Sequence, residues 1–181
     1  GFALPFAAAR TDGSLFGLFH RNLVATDLDL AAKDGKGGDA ALVLRGRDLR
    51  YARLDRTDFH GADLTNVDLE GASLTGANLA GARLQCADLS QLYLSDDRKA
   101  ANCVSARDAS FARANLKGAR LAGIDGRFSR FEEAVLEGAD LSYGLLMGAS
   151  FANAHLERAD FSGGTQLQGA NFLVANLQGA D

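Results

Sequence analysis

Apolar residues recur at every fifth position of this chain over most of its length. Leu49, Leu54, Phe59, Leu64, Leu69, Leu74, Leu79, Leu84, Leu89 and Leu94 form one unbroken series. A second series, one register away, holds Phe111, Leu116, Leu121, Phe131, Leu136, Leu141, Leu146, Phe151, Leu156 and Phe161, with Gly126 as its only gap. A third runs through Leu167, Phe172 and Leu177. A period of five suits neither ordinary element. On an α-helix it scatters the large residues around the cylinder, and on a continuous strand it flips each one to the opposite face. Each unit must therefore contain its own change of direction.

The remaining positions say where the turn lies. Two residues before the large position i stands Ala in most units, as at Ala52, Ala62, Ala72, Ala114 and Ala139; between them stands a polar residue, most often Asp or Asn. Positions i−2 and i share one face of a short extended segment, and i−1 points out. Position i+2 is rich in Gly, which suits a turn residue with positive φ. The unit reads in, out, in, then turn.

The consensus A-(D/N)-(L/F)-x-G, in some two dozen tandem copies over about residues 44–181, resembles the pentapeptide-repeat family. The resemblance implies an all-β solenoid, a right-handed quadrilateral β-helix in which four units make one square coil. Residues twenty apart then stack about 4.8 Å apart, and about six coils give a rod of roughly 29 Å. On this reading residues 44–181 form the β-helix, interrupted at about 95–108. Residues 1–43 hold a leader, a short capping helix with Ser14 at its N-cap, degenerate repeats and the Gly-rich loop 33–39. The opening apolar run Gly1–Ala9 is too short to span a bilayer and reads as a docked leader, with the tail of a membrane helix as the alternative. Both ends read as cut from a longer protein.

Departures from the pattern are where function specific to this chain is sought. Residues 95–108 break the register, and Lys99 cannot face inward without burying a charge. A loop carrying Asp96, Asp97, Arg98 and Lys99 is therefore the first candidate interaction site. Near Gly126 the interior is inverted, with Ile124 at the small site and Gly126 at the large one, so total volume is kept. Phe128 then lies outward or at a corner. Leu145 and Met147 point outward one coil later, with Tyr143 and Val135 nearby, giving an apolar surface cluster as the second candidate. Gly163-Gly164 adds one residue, a local bulge. Asp48, Asp68 and Asp88, twenty apart, are expected to stack as a ladder. A cation- or partner-binding stripe is one reading of it; short side chains that bond to nearby backbone are the simpler one.

Charge and composition narrow the functional classes. The 19 basic and 23 acidic residues give a net charge of −4. Cys86 and Cys103 sit in unlike contexts without metal spacing and are expected to be unpaired thiols, which suits a reducing, cytoplasmic setting. His20, His60 and His155 fall on different units, and no nucleophile elbow or phosphate loop occurs. No catalytic residue, cofactor site or metal site is expected, and the chain reads as a non-catalytic interaction or scaffold module with a protein partner. Self-association through coil ends or the apolar cluster is a related reading; direct nucleic-acid binding is not expected. The resemblance supplies an alternative, since some family members bind DNA gyrase by mimicking DNA. That role needs a strongly acidic surface. Residues 44–94 carry six Arg against seven acidic residues, and residues 109–181 carry six basic against eight acidic. Such mixed charge imitates a phosphate backbone poorly.

Overall fold

The computed structural model describes residues 42–88, 90 and 101–181. The expected capping helix, the loop at 33–39, Leu89, Leu94 and the Asp96–Lys99 candidate lie outside the described residues.

The described chain winds as a square coil, and its parallel β-bridges sort the outward residues into four columns. Face 1 carries Val43, Asp63, Arg83, Arg120, Asp140 and Asp160; face 2 carries Asp48, Asp68, Ser105, Asp125, Leu145 and Gln166. Face 3 carries Arg53, Ser73, Ser110, Arg130, Ser150 and Asn171; face 4 carries Asp58, Asn78, Asn115, Val135, His155 and Asn176. Each column is six deep, so the described rod has six coils, as the repeat count implies.

One unit shows why the pattern is self-sufficient. Asp68 N–H donates to Arg47 O (2.9 Å) in the coil before, and Leu69 N–H to Ser105 O (2.7 Å) in the coil after. Gly71 N–H donates to Arg107 O (2.8 Å), and Ala72 N–H closes the turn on Leu69 O (2.8 Å). The fifth amide, Glu70 N–H, donates to the Asp68 carboxylate (3.1 Å). All five donors are thereby satisfied, as buried or half-buried backbone requires. The same side-chain cap recurs at Asp58, Asp63, Asn115, Asp140, Asp160, Asn171 and Asn176. Outward Asp and Asn are thus structural parts of the turn, which favours the simpler reading of the acidic column.

Inside, Ala at i−2 and Leu or Phe at i are buried as far as Ala159, beyond which Phe161, Leu167 and Phe172 are half-buried and Leu177 is exposed. Phe111, Phe131, Phe151 and Phe172 form one pile on face 3, with centroids 4.9, 4.9 and 5.0 Å apart and rings near parallel. Position i+2 has positive φ in every described unit except that of Cys86, where the chain leaves the wall, whether occupied by Gly or by residues such as Tyr51, Asn66, Phe128, Tyr143 and Val174. Three of the aromatic ones use it in the same way. A Cβ on Gly71, Gly148 or Gly163 would sit 2.5–2.6 Å from the ring of Tyr51, Phe128 or Tyr143, so each ring lies flat over a glycine one coil on.

Three expectations are corrected. First, the register does not run on past Cys86 to the break at 95–108. Bridges step by twenty residues up to Asp63↔Arg83, then by 37 from Asp68↔Ser105 to Arg83↔Arg120, and by twenty again from Ser105↔Asp125. The chain leaves the wall after Cys86 and rejoins it at Val104-Ser105-Ala106. Asp88 therefore stands outside the column, and Ser105 occupies the place below Asp68. Second, Cys86 and Cys103 are joined in a disulfide across 17 residues. Context alone hid this, because their proximity arises from the excursion between them. Third, Val135 lies on face 4, opposite Leu145 on face 2, because the two are ten residues apart, half a coil. It is no part of the apolar cluster. The step of 21 from Leu145↔Gln166 onward confirms the extra residue at Gly163-Gly164.

Candidate functional site

Face 2 and its two edges hold every described residue of the candidate cluster. Leu145 stands at the outward position, where this face elsewhere carries Asp, Ser or Gln, and it is half-buried. Phe128 and Met147 share the edge toward face 3, tied by Phe128 N–H donating to Met147 O (3.1 Å). Phe128 is 62% exposed although its ring covers Gly148. Tyr143 is on the other edge, toward face 1. It is half-buried, lies over Gly163, and packs against the Cys86–Ala101 cluster at the root of the excursion. The structure thus brings Phe128, Leu145 and Met147 into one strip and turns Tyr143 to a separate structural task.

The inversion at Gly126 explains how the strip is supported. Ile124 is buried at i−2, and Leu146 of the next coil leans into the space over Gly126. A Cβ there would lie 2.9 Å from Leu146 Cδ2 and 3.1 Å from Ser129 Oγ. Ser129 Oγ itself donates to Gly126 O (2.6 Å).

Carboxylates on three of the faces are paired, one of them on the strip's own face. Asp125 accepts from Arg107 Nε (2.8 Å) and from Arg127 Nε and Nη2 (2.8 and 2.7 Å). Burial pushes its carboxyl up, but the two guanidiniums outweigh burial and hold it below the usual carboxylate range. On face 1, Asp63 is likewise raised by burial and lowered more by Arg45 and Thr65, to about 2. Arg45 Nε approaches it to 2.5 Å. On face 4, Lys117 Nζ (2.7 Å) and Arg158 bind Glu137 and keep its carboxyl low. Among the described residues no group of three or more His, Cys, Asp or Glu is arranged to hold a metal ion. No helix of the described residues is long and apolar enough to cross a membrane.

Sequence reasoning missed two features. The disulfide could have been found from the arithmetic of the excursion, since Cys86 and Cys103 fall on the same repeat position once 17 residues are removed. The Asp125 clamp has a signal as well, namely Arg at i+1 in two successive coils on either side of an outward Asp.

No curated protein matches the chain in sequence. Solved structures do. The HetL pentapeptide repeat protein of the cyanobacterium Nostoc, described as involved in heterocyst differentiation regulation, is 26% identical over 78% of this chain and 74% of its own, with a TM-score of 0.33. Trypsin-treated QnrB1, a plasmid-mediated fluoroquinolone resistance protein, is 20% identical over 77% of this chain and 72% of its own, with a TM-score of 0.42. A pentapeptide repeat protein of the Arabidopsis thaliana thylakoid lumen is 27% identical over 75% of this chain and 65% of its own, with a TM-score of 0.25. The family model for pentapeptide repeats matches residues 43–76, 62–96, 109–142 and 129–164, which together cover more than half of the chain. With this period, this square coil and the family model matching more than half of its length, the chain belongs to the pentapeptide-repeat family, and its fold is the right-handed quadrilateral β-helix of that family.

Proposed function

We propose that the protein is a non-catalytic interaction module, a rigid rod that presents the Phe128–Leu145–Met147 strip to a protein partner. The observation that carries this reading is Leu145 at an outward position of face 2, bordered by Met147 and an exposed Phe128. Aromatic residues and Met are the side chains enriched where proteins meet. The rod supplies rigidity, because the strip's backbone is bonded to the coils before and after it. The clamped carboxylate of Asp125 on the same face supports a binding surface over a site of chemistry, since its charge is held by Arg107 and Arg127.

Replacement of Met147 by Asp tests the reading. Met147→Asp places a charge on the strip's edge at a half-buried, outward position, so the fold is retained. Partner capture or self-association should fall about tenfold, measured by pull-down and sedimentation against the parent protein. Unchanged profiles in both would count against the strip.

A further inference from the structure

Two segments of this chain carry the repeat pattern for one place in the wall. In the structure the third coil is completed on face 2 by Val104-Ser105-Ala106, with Val104 and Ala106 buried. Yet Ala87-Asp88-Leu89 follows Leu84 at the spacing that would fill that place directly, and it matches the consensus better. The interior residues of the two segments differ by a single carbon, Val plus Ala against Ala plus Leu. The coil beneath places Ile124 at i−2, a large residue beside which Ala87 at i−2 fits as well as Val104 does.

What selects the poorer match is the bond between the two cysteines. Cys86 ends the unit before the excursion and Cys103 immediately precedes Val104. Their Cα atoms are 3.7 Å apart, the step between neighbours along a trans chain. The disulfide therefore makes the wall covalently continuous from Cys86 into Val104. Ala87 and Asp88 are held outside by hydrogen bonds that their N–H groups donate to Asn102 O and Ala101 O, both 3.0 Å. Cys86 is buried and Cys103 is half-exposed, so an attacking thiolate can approach from the Cys103 side.

We propose that Cys86–Cys103 is a redox-operated register lock: once it is reduced, Ala87-Asp88-Leu89 displaces Val104-Ser105-Ala106 from the third coil. The reductant is a dithiol. Its thiolate attacks Cys103 Sγ, the Sγ–Sγ bond breaks, and Cys86 leaves as a thiolate that takes up a proton. The reductant's second thiol then resolves the mixed disulfide, leaving two protein thiols and an oxidised reductant. The excursion keeps its 17 residues and its root moves one edge along, from the edge of Tyr143 to that of Phe128 and Met147. Redox state then decides which edge of face 2 the excursion borders.

Amide hydrogen exchange on the oxidised and dithiothreitol-reduced full chain tests this. Ala106 N–H donates to Asp125 O (2.8 Å) in the observed register, whereas Phe111 N–H donates to Arg130 O (2.7 Å) in either. On reduction, protection of Ala106 should fall about tenfold or more while that of Phe111 holds. Leu89→Asp, which bars the alternative segment from the interior, should restore Ala106 protection in the reduced protein. The proposal is overturned if Ala106 protection is unchanged by reduction. It is equally overturned if protection falls alike in Leu89→Asp, or if Phe111 loses protection together with Ala106.

Discussion

Val174 shows what the corner demands of a single residue. It sits at φ 59°, a region that costs a β-branched side chain about 1–2 kcal/mol, and it is 75% exposed, so little packing offsets that strain. Val174→Gly should raise stability by about 1 kcal/mol, read as a higher midpoint in thermal or denaturant unfolding. Phe128 and Tyr143 bear the same backbone strain, but each covers a glycine, so their replacement by Gly would forfeit contact. Titration also belongs to this scale. Asp63 and Asp125 have folded pKa values below their ordinary 3.8. Their contribution is therefore fully present above about pH 4. For Asp63 it is lost as pH falls from 3.8 toward about 2, where the folded carboxyl protonates. Acid unfolding should accordingly steepen in that window, and Asp63→Asn should flatten it.

At the scale of the repeat unit, most of the architecture was legible from residue types. In-out-in followed by a turn is a local rule, and Ala52, Leu54 and Gly61 obey it one unit at a time. The exchange of volume between Ile124 and Gly126 was legible for the same reason, because both lie within one unit. Leu146 reaching over Gly126 was not, since that contact joins residues twenty apart in different coils. Gly126→Ala should cost about 1–3 kcal/mol by forcing Leu146 and Ser129 from their positions, measurable by denaturant unfolding. The register across the excursion was misread on physical grounds. Ala87-Asp88-Leu89 is the better local match, whereas the observed register accompanies a covalent bond between residues 17 apart. Pattern reports local preference; it does not report which of two preferences a cross-link enforces.

For the whole molecule, charge decides between partners. The outward columns alternate acidic, basic, amide and apolar residues, and Asp63, Asp125 and Glu137 each bind a cation of this chain. Such a surface lacks the sustained negative potential of a duplex. In a gyrase supercoiling assay the protein at micromolar concentration should leave the reaction unaffected; inhibition there would favour the mimic over the interaction module. Of the candidate cluster, sequence located Phe128, Leu145 and Met147 on one face but could not separate Tyr143, whose packing partners come from the excursion root.

The cross-link also changes what this rod is as a thread. A coil that bonds only to the coils before and after it should peel under tension from its ends, turn by turn. A chain closed at Cys86–Cys103 pays out less length than its sequence holds, because the 17-residue span is bypassed by the sulfurs. At about 3.3–3.6 Å per extended residue, the hidden slack is roughly 60 Å. That is about twice the rod's own length, and it is released only by chemistry, never by pulling alone.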